Sequence, residues 1–134
     1  MLQLSKKVEY GLIALRHMAM NQRGQVFTAK EIAAKYDVPY ELLAKVLQKL
    51  SKAGVITSTQ GIHGGYALAR KPNELQVSHI ISIIEEEKPT IAECYAEGGE
   101  DCQIFNVCTI RKPLGKMQQN LNLLLENTTL EQIV

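Results

Sequence analysis

The sequence predicts a mainly α-helical fold carrying a small β-hairpin wing, on three observations. Apolar residues recur at three- and four-residue spacing over most of the chain, the signature of amphipathic helices. A single β-branched, alternating run, Val55-Ile56-Thr57-Ser58-Thr59, is followed by a glycine-rich tip and a returning segment. A stripe of Leu and Met then runs along residues 114–125. With 134 residues, 46% apolar and 22% charged, the chain has the composition of one globular domain, which excludes a disordered tail or a fibre. Two Phe, five Tyr and no Trp make the expected core aliphatic. No run approaches the roughly 20 apolar residues of a membrane span. The start, Met1-Leu2-Gln3-Leu4-Ser5-Lys6-Lys7, has no apolar stretch before a small-residue cleavage site, so the expected compartment is the cytoplasm.

In chain order, Val8, Leu12, Leu15 and Met18-Ala19 predict a first helix from near Ser5, broken by Asn21-Gln22-Arg23-Gly24-Gln25. Thr28-Ala29-Lys30-Glu31 has the form of a capping box and opens a short helix through Ile32, Ala33 and Tyr36. Asp37-Val38-Pro39 turns the chain, with Pro39 suited to the first turn of the next helix. That helix is expected from about Tyr40 to Lys52, with Leu42, Leu43, Val46, Leu47 and Leu50 inward and Gly54 as its stop. The strand from Val55 turns at Gln60-Gly61-Ile62-His63-Gly64-Gly65 and returns as Tyr66-Ala67-Leu68-Ala69, before a turn at Arg70-Lys71-Pro72-Asn73. Ser78 is the expected cap of a helix holding Ile80, Ile81, Ile83 and Ile84 that ends before Pro89. Residues 89–111 show no periodicity and include Gly98-Gly99. A last helix over about 113–127 repeats Leu114, Met117, Leu121, Leu124 and Leu125, and Thr128-Thr129-Leu130-Glu131 is able to cap a terminal turn.

Two short helices, a tight turn and a glycine-tipped hairpin form the order of a winged helix-turn-helix. Charge agrees with that order. Residues 1–72 carry eleven Lys and Arg against four Asp and Glu, a balance of +7, and residues 73–134 carry four against ten, a balance of −6. A basic first half beside an acidic second half points to two tasks, the first involving a polyanion. In this arrangement the second helix presents residues near its N-terminus to base edges in the major groove. Those residues are Pro39, Tyr40, Glu41, Ala44 and Lys45. Glu41 can accept from a cytosine amino group, and Lys45 and Lys49 can reach guanine or phosphate. The helix start at Thr28, with Lys30 beside it, offers backbone amides to a phosphate. Gln60, Gly61, His63 and Gly64 form a tip narrow enough to approach a minor groove. Each piece alone also suits an ordinary solvated helix or turn; their order and charge together favour double-stranded DNA.

Cys94, Cys102 and Cys108 lie within fifteen residues and nowhere else. An odd count in a reducing compartment argues against a disulfide framework and for ligands or redox groups. Thiolates are soft donors for iron–sulfur clusters, zinc or cuprous ions. Zinc sites usually carry a CxxC pair, absent here, while wider spacing on a long loop suits a larger cluster. From spacing alone, a cluster, zinc and free or reactive thiols all stay open, with the cluster favoured. His17, His63 and His79 lie outside the cysteine segment and are expected to be surface, DNA-facing or capping residues.

Leu4-Ser5-Lys6-Lys7-Val8-Glu9-Tyr10, the stretch Gly61-Ile62-His63-Gly64-Gly65-Tyr66-Ala67-Leu68-Ala69-Arg70 and the cysteine trio together resemble one family of bacterial iron–sulfur winged-helix transcriptional regulators, with IscR-, NsrR-, RirA- and CymR-like branches. The resemblance covers essentially the whole chain. It implies a homodimeric winged-helix repressor whose long C-terminal helix makes the dimer. Operator binding would be governed by an iron–sulfur cluster sensing iron or cluster status, nitric oxide or redox stress. Two departures bear on DNA reading: IscR-like proteins place a base-reading Glu where Ala44 falls, and an Arg where Gln60 falls. A third bears on the cluster, because the His that IscR-like proteins carry three residues after the last cysteine is Arg111 here, which cannot ligate. NsrR-like proteins use an acidic residue near the start of the first helix, contributed by the other subunit, and the matching position is Glu9. Glu9 also suits a first-turn carboxylate favoured by the helix dipole, but the fourth-ligand role is the favoured one. The cysteine spacing is closer to RirA- and NsrR-like proteins, which favours a 4Fe–4S cluster with 2Fe–2S as the alternative.

The expected organisation is a DNA-binding unit over 1–77, a short helix and cluster-binding loop over 78–111, and a dimerisation helix with tail over 112–134. No Ser-His-Asp set, Walker loop or general-base pair is present, so an enzyme is not expected. Two rivals differ in kind: a cluster-free repressor responding to a small ligand or thiol state, and a small redox carrier that binds no DNA.

Overall fold

The computed structural model describes residues 3–21, 25–86, 89–95 and 99–134; the predicted break at 22–24 and Gly98 lie outside the described residues. Helix α1 (Lys6–Met20) starts where expected, because the Ser5 hydroxyl accepts from the Val8 N–H at 3.3 Å. Helix α2 (Ala29–Tyr36) is opened by Thr28, whose hydroxyl accepts from the Glu31 N–H at 3.1 Å, the Thr28 half of the predicted box. Such a cap is worth about 1 kcal/mol. Asp37 turns in the left-handed region at φ 54°, and the Val38 N–H closes the turn on the Ala33 carbonyl at 3.0 Å. Pro39 then caps α3 (Tyr40–Lys52), which buries Leu43, Val46, Leu47 and Leu50, with Leu42 half-buried at the margin.

Strands β1 (Ile56–Thr59) and β2 (Gly65–Leu68) pair antiparallel, from Ile56 opposite Leu68 to Thr59 opposite Gly65. The hairpin is anchored at Phe27, which exchanges two backbone hydrogen bonds with Tyr66, at 2.9 and 2.7 Å. A short 3-10 turn (Pro72–Glu74) leads into α4 (Val77–Glu85). Its cap is Gln76, making no side-chain capping bond, and not the predicted Ser78, which is already the second helical residue. The reason is a competing partner: the Val77 N–H is taken by the Thr128 carbonyl at 2.8 Å, and Gln76 bridges Thr129. The aperiodic cysteine segment contains two short 3-10 turns, Glu93–Tyr95 and Gly99–Asp101. Helix α5 (Arg111–Asn127) begins two residues before the predicted start, and the chain ends in a 3-10 turn (Leu130–Ile133) with a full capping box between Thr129 and Gln132.

The core joins α1–α4, the hairpin root and the tail, with Leu15, Ile32, Leu47, Leu50, Ile56, Leu75, Ile80, Ile84 and Leu130 sealed from solvent. Its tightest joint is at Gly11, where a Cβ would meet Ile84 Cδ1 at 2.6 Å and Val46 Cγ1 at 3.1 Å. The absent side chain lets α1, α3 and α4 meet at one point. His17 departs from the sequence expectation. It is 7% exposed, stacks edge-on against Phe27 and Tyr36, and its Nδ1 lies 2.6 Å from the Tyr36 hydroxyl. A histidine with one polar partner fits an aromatic niche as a flat, largely apolar ring, so its place in a helix-face pattern did not mark it as surface.

Burial lowers the His17 pKa, with the nearby Lys35 cation adding to the shift and Glu31 opposing it. The fold therefore holds neutral imidazole, whereas the unfolded chain protonates near the ordinary value of about 6.5. Above that pH both states are neutral and the shift has no effect; as pH falls through it, the unfolded state binds the proton first and stability drops. Thermal melts from pH 7.5 to pH 5 are expected to show a falling midpoint, with a smaller fall in His17→Gln. An equal fall in both proteins would remove His17 as its source.

Candidate nucleic-acid interface and cysteine segment

The helix-turn-helix places its predicted reading residues at the N-terminal end of α3. Pro39, Tyr40, Glu41 and Lys45 are exposed there, while Ala44 is half-buried against the core. Thr28 is half-buried at the start of α2, and the exposed Lys30 ammonium lies 5.9 Å from the centre of the Tyr40 ring. That cation–π contact joins the first turn of α2 to the first turn of α3, so the phosphate-seat candidate and the reading end form one surface. Lys49 sits two turns further along α3. Its ammonium donates to the Ile84 carbonyl at 3.2 Å and lies 3.2 Å from a Glu86 carboxylate oxygen.

At the wing, Gln60, Gly61 and His63 are exposed, and the Gly64 N–H closes the tip on the Gly61 carbonyl at 3.1 Å. This turn holds Ile62 and His63 at its corner, and Ile62 is 99% exposed. Ile62 was not among the residues expected to meet DNA; its place between glycines at a hairpin tip was the available signal. A Cβ on Gly64 would strike the Thr59 carbonyl oxygen, so the tip needs glycine there.

The three thiols are free of disulfides and half-buried. Among the described residues, no group of three or more His, Cys, Asp or Glu side chains is gathered so as to hold a metal ion, so Cys94, Cys102, Cys108 and Glu9 are not brought together within one chain. Glu9 is instead paired with Lys6 at 2.9 Å on the exposed face of α1. The donor chemistry of three thiols on one short segment fits a thiolate-bound cluster; the arrangement is open.

The segment is tied down chiefly by Gln118 and Tyr95, neither of which the sequence singled out. Gln118, 8% exposed, is the one buried residue of α5. Its Oε1 accepts from the Ile91 N–H at 2.8 Å, and its Nε2 donates to the Pro89 carbonyl and to Asn122 Oδ1, each at 2.9 Å. Tyr95 donates its hydroxyl to the Arg111 carbonyl in the first turn of α5. Gly99 packs on the Cys94 backbone so closely that a Cβ would lie 2.5 Å from its carbonyl. The Arg111 guanidinium covers the Phe105 ring at 4.1 Å. A polar residue four places after Leu114, inside the apolar stripe, was the sequence signal for Gln118.

Comparison with known proteins agrees with this architecture. The family described as "Rrf2: Iron-dependent Transcriptional regulator" matches residues 4–134. Among solved structures, the chain is similar to CymR, the global cysteine regulator of B. subtilis, at 24% identity and a TM-score of 0.73, covering 99% of this chain and 96% of that one. It is similar to the oxidized form of Staphylococcus aureus CymR at 25% identity and a TM-score of 0.73, with 98% and 95% covered. T. potens IscR is similar at 24% identity and a TM-score of 0.75, with 98% and 85% covered.

With the wing tip in contact with DNA, as the sequence predicts, Gly64→Ala displaces the tip and is expected to weaken binding to duplex DNA by about tenfold, equivalent to about 1.4 kcal/mol. The melting midpoint should move little, because the tip is outside the core. Unchanged affinity in a fluorescence-anisotropy titration would take the wing tip out of the interface.

Proposed function

Because the chain belongs to the Rrf2 family of transcriptional regulators, which bind DNA through a winged helix-turn-helix and are not enzymes, we propose that it acts as a homodimeric repressor whose operator binding is governed by its cysteine segment. The observation that carries this reading is the joining, in one small fold, of a basic reading surface to three free thiols on a segment fastened to α5.

Several residues take named parts. Glu41 and Lys45 at the start of α3 are the base-edge readers, with Pro39, Tyr40 and Ala44 shaping that end. Thr28 and Lys30 hold phosphate, and Gln60, Gly61, His63 and Gly64 enter the minor groove. The dimer is supported by α5, about 26 Å long at 1.5 Å per residue, along which Met117, Leu123 and Leu124 remain more than half exposed. Apolar side chains in that number on one helix suit burial against a second copy.

Cys94, Cys102 and Cys108 are the residues that would hold an iron–sulfur cluster, with Glu9 of the partner subunit as the fourth ligand. Bound there, a 4Fe–4S cluster, or 2Fe–2S as the alternative, supplies a centre open to iron status, nitric oxide and oxidants. The protein's own contribution is mechanical. Gln118 and Tyr95 fix both shoulders of the segment on α5, so the state of the thiols bears on the separation of two reading helices that must match half-sites about 34–36 Å apart.

A second reading, control by thiol state or a small ligand without a cluster, is favoured by one observation: the three thiols are not gathered within the chain. One experiment separates the two. Protein purified without oxygen is assayed for iron and acid-labile sulfide, and for binding to a duplex selected from random DNA. About four of each per chain, lost in Cys102→Ala with the fold retained and lowered in Glu9→Ala, is the expected result. Neither iron nor sulfide after reconstitution, with selective DNA binding intact, would sink the cluster and leave the thiol reading. Absence of selective DNA binding would sink both.

A further inference from the structure

Lys49 is the one lysine of the reading helix whose ammonium meets another helix of the fold among the described residues. The Ile84 carbonyl it bonds is among the last four carbonyls of α4, which lack partners within their own helix. A cation at that end also meets the negative pole of the helix dipole. Glu86, the left-handed cap of α4 at φ 62°, completes the clamp from the other side. Beneath the clamp, Ile84 packs on Gly11 and Val46, so polar and apolar contacts act at the same joint. The neighbouring Glu85 accepts from Ser5, the residue that caps α1.

Lys49 also lies at the wrong end of α3 for base reading. Eight residues after Glu41, it is about 12 Å along the axis from it. What it touches is the end of α4, which in the sequence precedes the cysteine segment. Three residues after Glu86 comes Pro89, whose carbonyl is held by Gln118 of α5. The end of α4 is therefore fastened to α1 by Ser5 and to α3 by Lys49, and the chain leaving it is fastened to α5 by Gln118.

We propose that Lys49 is a positioning residue and not a DNA contact: it clamps the reading helix to the end of α4 and is the joint through which the cysteine segment sets the attitude of α3. The second part rests on the reading that this segment governs operator binding. The chain has three cysteines, all in that segment, so iodoacetamide changes the state of that segment's thiols and of no others.

The test measures affinity for the selected duplex over a range of salt, with untreated and alkylated protein, for the native chain, Lys49→Met, Lys49→Arg and Glu86→Gln. The native chain is expected to show an alkylation ratio of about tenfold, in the usual range of coupling between sites. Lys49→Met should bring the ratio close to unity while leaving the salt slope as it was. Lys49→Arg, which keeps the donors, should restore the ratio, and Glu86→Gln should lower it. A phosphate contact behaves differently. Lys49→Met would then lower the slope of log Kd against log salt by about 0.9 with the ratio intact, and Glu86→Gln would tighten binding by freeing the lysine; either result overturns the proposal. Should Lys49→Met fail to fold, the Arg and Gln variants decide by the same two readouts. A native ratio near one would sink control by the cysteine segment, and with it the joint. The assignment of Lys49 would then be decided by Lys49→Met alone: weaker binding at an unchanged slope supports it, a reduced slope overturns it.

Discussion

Three helices meet at Gly11 because that position has no side chain, and the rest of the molecule is arranged around the meeting. With only hydrogen there, Ile84 of α4 and Val46 of α3 close on α1 within van der Waals distance. Close packing at such a joint leaves few alternative arrangements, since a shift of one methylene is felt by every neighbour. The attitude of α3 is thus fixed from behind, by a contact remote from its exposed end. The same approach brings the Ile84 carbonyl within reach of Lys49 and places Glu85 beside Ser5. Apolar burial holds the joint together, while these polar contacts set its register. An exposed ion pair such as Lys49–Glu86 contributes at most about 1 kcal/mol, enough to bias an orientation and too little to hold a fold.

The reading surface depends on this frame at one further place. Phe27 lends its backbone to β2 while its ring packs on His17, so this residue links the wing to α1. His17 in turn meets Tyr36 in the last turn of α2, one residue before the left-handed Asp37. A single buried aromatic group therefore supports both the hairpin and the helix-turn-helix turn. It has one polar partner, and that partner suits the neutral ring, which is why acid acts against the fold at this site.

Much of the fold was legible in the sequence because its signals were local. Ser5, Thr28, Pro39 and Gly54 each mark a helix end by their own chemistry, and the α3 burial pattern follows from 3.6-residue spacing. The contacts that were not legible join residues far apart in the chain. Ser78 has the chemistry of a cap, yet the Thr128 carbonyl, fifty residues on, decides where α4 begins. Lys49 reads as one more basic residue on a reading helix, and no sequence pattern reveals that Ile84 and Glu86 hold it. The cysteine trio was plain from spacing. Its geometry was not, because a segment without periodicity takes its shape from Gln118 and Tyr95, whose partners lie in backbone groups that any residue carries.

Helix α5 shows how two demands share one element. Gln118 sits within the Leu and Met stripe and spends its hydrogen bonds inward, on Pro89, Ile91 and Asn122, while Leu123, Leu124 and Met117 stay uncovered. An apolar residue at 118 would leave the half-buried Ile91 N–H without that acceptor. The polar interruption thus marks where the helix grips its own cysteine segment, and the uncovered leucines mark where the proposed second copy would bear. On such a dimer the segment and the interface are borne by the same rigid helix. A change in the segment then has two routes to the reading helices: through α4 and Lys49 within a chain, and through α5 between chains. The intramolecular route ends on the attitude of one α3, and the intermolecular route on the distance between two. Under the proposed function, operator binding would be sensitive to both quantities, because base contacts require the first and half-site spacing the second.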